Sequence, residues 1–223
     1  LLRGGAPFAG RRVVVTAGPT REALDPVRVL TNRSSGRMGF ALARAAWLRG
    51  ADVTLIAGPG QLPAPIGVDL VRVETTEQLA GAVREALPGA DALLMAAAPA
   101  DYRPAAPSAR KLKRASGGLR LDLEATEDVL AATRSARRKG AVIVGFALET
   151  GDAVSHAREK LKAKALDLVV VNDATEPGAG PEVTTNRVTL LTAQGAEALP
   201  LQSKESVAEA ILDRVGEMLA HRD

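Results

Sequence analysis

The sequence predicts an α/β fold: a Rossmann-like, mostly parallel sheet with helices on both faces, plus a small antiparallel or irregular appendage. Two observations predict it. Apolar runs of strand length alternate with helical patterns along most of the chain. The runs are also continuously apolar rather than alternating, as in Val13-Val14-Val15 and Leu168-Val169-Val170-Val171, which fits strands covered on both faces.

The elements follow in order. A strand over Val13–Ala17 leads through a long loop to a helix from Met38 to Leu48. Strands at Val53–Ile56 and Leu70–Val73 precede a helix over Thr76–Leu87 and a strand over Ala92–Ala98. A helix near Glu127–Ser135, a strand over Ala141–Phe146, a helix over Asp152–Ala165 and a strand over Leu166–Val171 continue the alternation. Two stretches break it. Pro99–Leu121 carries Pro99, Pro104 and Pro107, the basic run Arg110-Lys111-Leu112-Lys113-Arg114, and Gly117-Gly118, and reads as a long functional loop. Asp173–Thr185 reads as a second irregular segment, after which Arg187–Leu191 is expected to pair antiparallel with Leu199–Leu201. Ser203 is placed to cap a last helix running to about Leu219.

At 223 residues the chain fits one large domain or a domain with a small appendage, and the missing starting Met is expected of a fragment or processed chain. No apolar run approaches the length that spans a bilayer. The absence of Cys removes thiol nucleophiles and thiolate metal sites, and two histidines make a His-built zinc site a poor expectation. Any metal is expected to be a hard cation such as Mg²⁺, held by carboxylate and phosphate oxygens. A net charge of +3 is too balanced for a general nucleic-acid binder, and five aromatic residues are too few for a base-stacking platform.

The stretch Thr31-Asn32-Arg33-Ser34-Ser35-Gly36-Arg37-Met38-Gly39 carries the strongest chemical signal. It brings hydroxyls, glycines and unpaired backbone N–H groups to a helix N-terminus, a setting that favours an anion. A long loop ending in a Ser-capped helix is the plain alternative. The stretch is neither a Walker loop nor a G-x-G-x-x-G fingerprint, which disfavours an ordinary NAD(P) oxidoreductase. Downstream, Asp101 follows an apolar strand, where ligands of open α/β sheets sit. It suits a metal ion or a ribose, or is simply a turn residue. Lys111 stands in a loop able to close over a polyphosphate, or in a solvated basic run. Lys160 and Lys164 lie one helical turn apart beside the apolar stripe Val154, Ala157, Leu161 and Ala165, where an anion between them would offset their repulsion. Phe146, at a strand end, is either core or a face for a base.

Taken together, Thr16–Glu22, Leu24–Arg28, Asn32–Gly39, Ala97–Arg103, Lys111-Leu112-Lys113, Val144–Thr150 and Val170–Asp173 resemble the phosphopantothenate–cysteine ligases of coenzyme A biosynthesis, bacterial type. Arg37, Arg114 and Glu127 depart from that pattern, where Lys, Lys and Pro are common. The resemblance implies a single domain over 1–223, with residues 1–10 the remnant of a linker to a partner domain. It implies a cytoplasmic homodimer, often fused to a flavin-dependent decarboxylase, that joins 4′-phosphopantothenate to L-cysteine. CTP and Mg²⁺ serve the reaction, an acyl-cytidylate is the intermediate, and no nucleic acid or membrane takes part. The dimer interface is expected in Pro99–Leu121 and in the strands after Thr185. Carried over by position, Asn32 would hold the acyl group and Lys111 would act on the phosphates as the flap lysine. Met95, Ala96, Ala97, Asp101, Glu127, Asp128, Val129, Leu130, Phe146, Lys160 and Lys164 would bind the nucleotide. Asp101 would lie near the metal, and Ser34, Ser35, Gly36 and Gly39 would form the substrate or phosphate loop. A non-catalytic nucleotide-binding module is the remaining alternative.

Overall fold

The structure, a computed structural model, describes residues 8–114, 117–149, 153–173, 176 and 178–222. The expected linker remnant through residue 7, Thr150, and the expected helix start at Asp152 lie outside the described residues.

Strand β1 (Arg12–Ala17) is followed by a short hairpin, β2 (Arg21–Ala23) and β3 (Val29–Thr31), and then by helix α1 (Arg37–Leu48). Next come β4 (Asp52–Ala57), β5 (Asp69–Arg72), α2 (Thr76–Ala86) and β6 (Ala92–Met95). A second hairpin, β7 (Tyr102–Pro104) and β8 (Leu123–Ala125), precedes α3 (Val129–Ala132), β9 (Val142–Glu149), α4 (Ala153–Ala163) and β10 (Leu168–Asp173). The chain ends with β11 (Thr185–Asn186), β12 (Thr189–Leu191), β13 (Ala196–Ala198), β14 (Gln202–Ser203) and α5 (Lys204–Ala220).

The central sheet has eight strands in the order β13-β12-β10-β9-β6-β1-β4-β5. The six from β10 to β5 are mutually parallel, and β12 and β13 add antiparallel at one edge. Counted among the parallel strands alone, the order is 3-2-1-4-5-6. The order reverses between β1 and β6, so the crevice for a ligand opens beyond their carboxyl ends. Side chains of β1 alternate between two cores. Val13, Val15 and Ala17 face one built on α1 and α5, and Val14 faces another built on α2, α3 and α4. Covering both faces is what the continuous apolar strands required.

Five local expectations are corrected. The strand expected through Ala98 stops at Met95, because the Ala97 N–H turns to the side-chain oxygen of Thr16. The helix expected to Ser135 ends at Ala132 and gives way to a 3₁₀ turn at Arg134–Ala136, where the buried Thr133 hydroxyl donates back to the Val129 carbonyl at 2.6 Å. The antiparallel partner of β12 is Ala196–Ala198, a few residues before the segment expected near Leu199–Leu201, of which the Leu199 N–H donates to the Val188 carbonyl at 2.9 Å. The long loop before α1 holds the hairpin β2–β3, and Pro99–Leu121 holds β7, whose partner β8 lies just beyond it; strands of three residues are too short to show periodicity. Ala165, counted in the stripe of α4, lies beyond that helix, exposed and with φ of 47°.

Candidate active site

The site is built on the turn that follows β6. A buried hydroxyl network fixes it. The Thr16 Oγ1 accepts from the Ala97 N–H at 3.0 Å, and the Thr20 Oγ1 accepts from the Ala100 N–H at 2.8 Å. Thr20 in turn meets the Thr76 hydroxyl at 2.9 Å, and the Thr76 N–H donates to the Glu22 carboxylate at 2.8 Å. Thr16, Thr20, Thr76 and Glu22 are all buried. The Ala97–Asp101 backbone is therefore held from three elements before any ligand arrives.

Two cavities meet at this turn. The smaller, about 210 Å³, lies between the turn, α3 and α4. Its walls include Met95, Ala97, Asp101, Glu127, Asp128, Val129, Leu130, Phe146, Lys160 and Lys164. The larger, about 550 Å³, opens toward α1 and is lined by Asn32, Ser34, Gly36, Arg37, Ala96, Ala97 and Asp101, among others. Phe146 and Lys160 also face it, so four residues, Ala97, Asp101, Phe146 and Lys160, form a shared wall. A third cavity of about 490 Å³, mostly apolar, runs along the outer face of α1 beside Leu62–Ile66, away from this turn.

Charge in the small cavity is arranged by α4. Lys160 donates to the Phe146 carbonyl at 2.6 Å. Burial pushes the Lys160 ammonium below its ordinary pKa, and neighbouring Lys164 pushes it further, against the pull of Glu149, Asp128 and Asp101. Lys164 pairs with Asp128 at 2.8 Å. Burial works to raise the Asp128 carboxyl. The Lys164 ammonium and the Ala131 and Leu130 N–H groups outweigh it, so the group sits below its ordinary value. Asp128 also caps α3, accepting from the Ala131 N–H at 3.1 Å. Glu127 is exposed and turns to Arg84 at 3.3 Å.

At the mouth of the large cavity α1 begins without a side-chain cap. Its first flanking residue, Gly36, has φ of 74°, the left-handed region that favours glycine. The Ser-capped alternative is thereby overturned, and the N–H groups of the first turn stay available to a ligand. Asn32 is exposed, lines this cavity, and donates its amide to the Pro99 carbonyl at 2.9 Å.

Three expected site residues are not brought here. Lys111 is exposed and lines neither cavity. Its neighbour Leu112 is anchored instead, its N–H donating to buried Asp25 at 3.1 Å and its carbonyl accepting from Arg28 at 2.6 Å. Ser35 turns away and donates to the Pro181 carbonyl at 2.6 Å. Gly39 is buried against β1 in the first turn of α1, where a β-carbon would sit 2.5 Å from that of Ala17. That close approach of α1 to β1 needs a residue without a side chain. Sequence reasoning missed Asn186 and Lys204, which line the large cavity. Lys204 had a signal: a cation at the first residue of a helix opposes the macrodipole.

The profile of the DNA/pantothenate metabolism flavoprotein C-terminal domain matches residues 8–219. The chain belongs to this family. It is 48% identical over 225 residues to the coenzyme A biosynthesis bifunctional protein CoaBC of Mycobacterium tuberculosis, covering 96% of this chain and 54% of that protein. The chain thus spans about half the length of the curated relatives it matches. The crystal structure of the C-terminal domain of a CoaBC superposes with a TM-score of 0.82 at 35% identity, over 97% of this chain and 100% of that one. A Cab2 mutant in complex with phosphopantothenate-cysteine shares the fold at a TM-score of 0.77 and 17% identity, over 95% of this chain and 88% of that one. Among the described residues no helix is long and apolar enough to cross a membrane.

Proposed function

We propose that this chain is a phosphopantothenate–cysteine ligase that activates 4′-phosphopantothenate with CTP. In the first step the substrate carboxylate attacks the α-phosphorus, the bond to the β-phosphate oxygen breaks, and pyrophosphate leaves. In the second the cysteine amine attacks the acyl carbon, gives up a proton, and CMP leaves as the amide forms. Neither step needs a protein nucleophile. Both need negative charge neutralised, because a carboxylate must approach a triphosphate.

The observation that carries this reading is the pair of cavities joined at Asp101, Phe146 and Lys160. The smaller, with Lys160 and Lys164 on one wall and Phe146 beside them, suits the nucleotide. The larger, with Asn32 at its mouth and the uncapped start of α1, suits the acyl substrate. The acyl–phosphate junction then falls at the shared wall. Asn32, which lines the larger cavity, has a side-chain oxygen to offer while its amide is held in place by Pro99. The relatives named for coenzyme A biosynthesis support a role for this chain in that pathway.

Mg²⁺ fits this set in one mode. No group of three or more His, Cys, Asp or Glu able to hold a metal occurs among the described residues. Asp101 could supply one carboxylate, with nucleotide phosphates completing the shell, as Mg²⁺ commonly accepts. Its service would be to neutralise phosphate charge.

We also propose a homodimer. The two hairpins β2–β3 and β7–β8 lie side by side. They expose Val27, Tyr102, Leu121 and Leu123 together, a grouping that monomers rarely leave in water. This supports the Pro99–Leu121 half of the expected interface. A fused flavin-dependent decarboxylase and a cytoplasmic setting complete the reading. The deciding assay is pyrophosphate release with 4′-phosphopantothenate, comparing CTP with ATP. Release with CTP is expected. Release with ATP alone would overturn the nucleotide assignment, and release with neither would overturn the ligase.

A further inference from the structure

Arg137 lines neither cavity, yet it ties together the two helical walls of the smaller one. Its Nη1 donates to the carbonyls of Lys164 and Ala165, both at 3.0 Å, and its Nη2 donates to the Leu130 carbonyl at 2.6 Å. Lys164 and Ala165 stand just past the end of α4, and Leu130 lies within α3. The 3₁₀ turn at Arg134–Ala136 brings the chain back toward α3 and delivers Arg137 to both helices.

This placement is costly for a cation. The side chain is half-buried, and burial pushes the guanidinium below its ordinary pKa, with Arg134 adding to the push against Asp167 and Asp128. Among the described residues no carboxylate forms an ion pair with it, and its Nε is buried without a hydrogen-bond partner. An arginine free to turn out to water would escape that cost. What holds it is the set of carbonyls at a helix C-terminus, where the macrodipole favours a cation. The end of α4 also needs support. The Leu166 N–H donates to the Leu161 carbonyl at 2.9 Å and the Ala165 N–H to the Lys162 carbonyl at 3.2 Å. This is a Schellman closure, and it puts Ala165 at φ of 47°, a position usually given to glycine.

We propose that Arg137 is a positioning residue for the nucleotide: it fixes the gap between α3 and α4, and through that gap the place of the Lys164 ammonium. The nucleotide's identity rests on the ligase reading, while the clamp itself does not. Lys164 is held at both ends, its carbonyl by Arg137 and its ammonium by Asp128 at 2.8 Å. Asp128 caps α3, and the Leu130 carbonyl of α3 takes the other arm of the guanidinium. The four residues therefore close a ring around the outer side of the cavity. The planar fork suits this work because it reaches two elements at once. The ring also bears on β9. A β-carbon at Gly145, the residue before Phe146, would lie 2.7 Å from the Leu166 side chain and 3.8 Å from that of Leu130. Without Arg137 the end of α4 is free to part from α3, and Lys164 moves with it.

Arg137→Met and Arg137→Lys, compared with wild type in titration calorimetry with CTP and in pyrophosphate release, test the proposal. Arg137→Met is expected to weaken CTP binding by about tenfold, the scale of one charge-assisted contact, and to raise KM for CTP in step. KM for 4′-phosphopantothenate should hold. Arg137→Lys keeps the charge and should recover part of the loss, and it serves as the test variant if Arg137→Met does not fold. A lower Tm with unchanged CTP affinity, or equal rises in both KM values, would overturn the role and leave Arg137 a structural brace. A second measurement needs no nucleotide. Followed by carboxyl NMR, Asp128 should titrate higher in Arg137→Met than in wild type, because Lys164 is no longer held against it. Most of that shift should vanish in a Lys164→Met background. A shift of equal size in both backgrounds would mean a direct charge effect and would overturn the clamp. Wild-type protein that ignores CTP, with the Asp128 shift as expected, would refute the ligase reading alone.

Discussion

Gly39→Ala tests whether the position of α1 against the sheet controls the site. A β-carbon at residue 39 would lie 2.5 Å from the Ala17 Cβ, 2.6 Å from the Thr16 carbonyl oxygen and 2.9 Å from the Ala17 Cα. Ordinary contact begins at 3.4 Å, so the helix start must move by about 1 Å. None of the three obstacles is the end of a flexible side chain. Overpacking of this kind costs about 1–3 kcal/mol. Alanine returns at most about 1 kcal/mol through helix propensity. The net expectation is a destabilisation of about 1–2 kcal/mol, or a Tm lower by about 2–8 °C for a chain of this size. Activity should fall further than stability, because a displacement of about 1 Å at a reacting centre costs about 100-fold in rate. The control is Gly81→Ala in α2, where nothing lies within 4 Å of the new carbon. That variant should gain up to about 1 kcal/mol. Urea midpoints and pyrophosphate release, measured on both, complete the comparison. A Gly39→Ala protein as stable and as active as the Gly81→Ala control would refute the reasoning.

Thr20→Val removes the hydroxyl that accepts from the Ala100 N–H and should cost about 1–3 kcal/mol, read as a lower urea midpoint. A midpoint within error of wild type would show that the turn does not depend on it. Asn32→Ala should keep the wild-type melting curve and lose most amide product, and near-normal turnover would remove Asn32 from acyl handling. Lys111→Gln should slow pyrophosphate release, and an unchanged rate would place Lys111 in a solvated loop only. Acid titration concerns Asp91. Burial works to raise its carboxyl, but the Arg12 N–H and the Arg138 and Arg11 guanidinium groups hold it below its ordinary value of 3.8. The unfolded chain then binds the proton first, so the stabilisation is complete above 3.8 and is lost as pH falls through the folded value. Asp91→Asn should flatten that part of the stability–pH curve. A wild-type curve no steeper than the variant's would contradict the pairing.

The parallel sheet was legible because its strands are buried on both faces, and such runs as Val142-Ile143-Val144 have no other use. Ser203 was legible as a cap because the hydroxyl does its work locally, accepting from the Ser206 N–H at 3.1 Å. The hairpins around residues 21–31 and 102–125 were not, since three-residue strands carry no period and β7 and β8 are separated by 18 residues. The site residues from Met95 to Lys164 were found through the resemblance, and most of them do share a cavity wall. Lys204 and Asn186 were missed because the one signal, a lysine opening a helix, is weak and an asparagine in a turn-rich stretch gives none. Burial sets them apart, and burial is a property of the fold. Lys111 stands apart for the opposite reason: a basic run states its charge but not where the loop is tethered, and in this structure the Leu112 N–H is held by Asp25.

The wall shared by the two cavities makes their occupants thermodynamically linked. Any ligand that draws Lys160 toward one side changes the field and the space on the other, and Ala97, Asp101 and Phe146 belong to both. Such linkage is reciprocal: the factor by which nucleotide alters affinity for the acid equals the factor by which the acid alters affinity for nucleotide. A single coupling constant, obtained by titrating either ligand with the other held saturating, then describes synergy or antagonism between the two halves of the crevice.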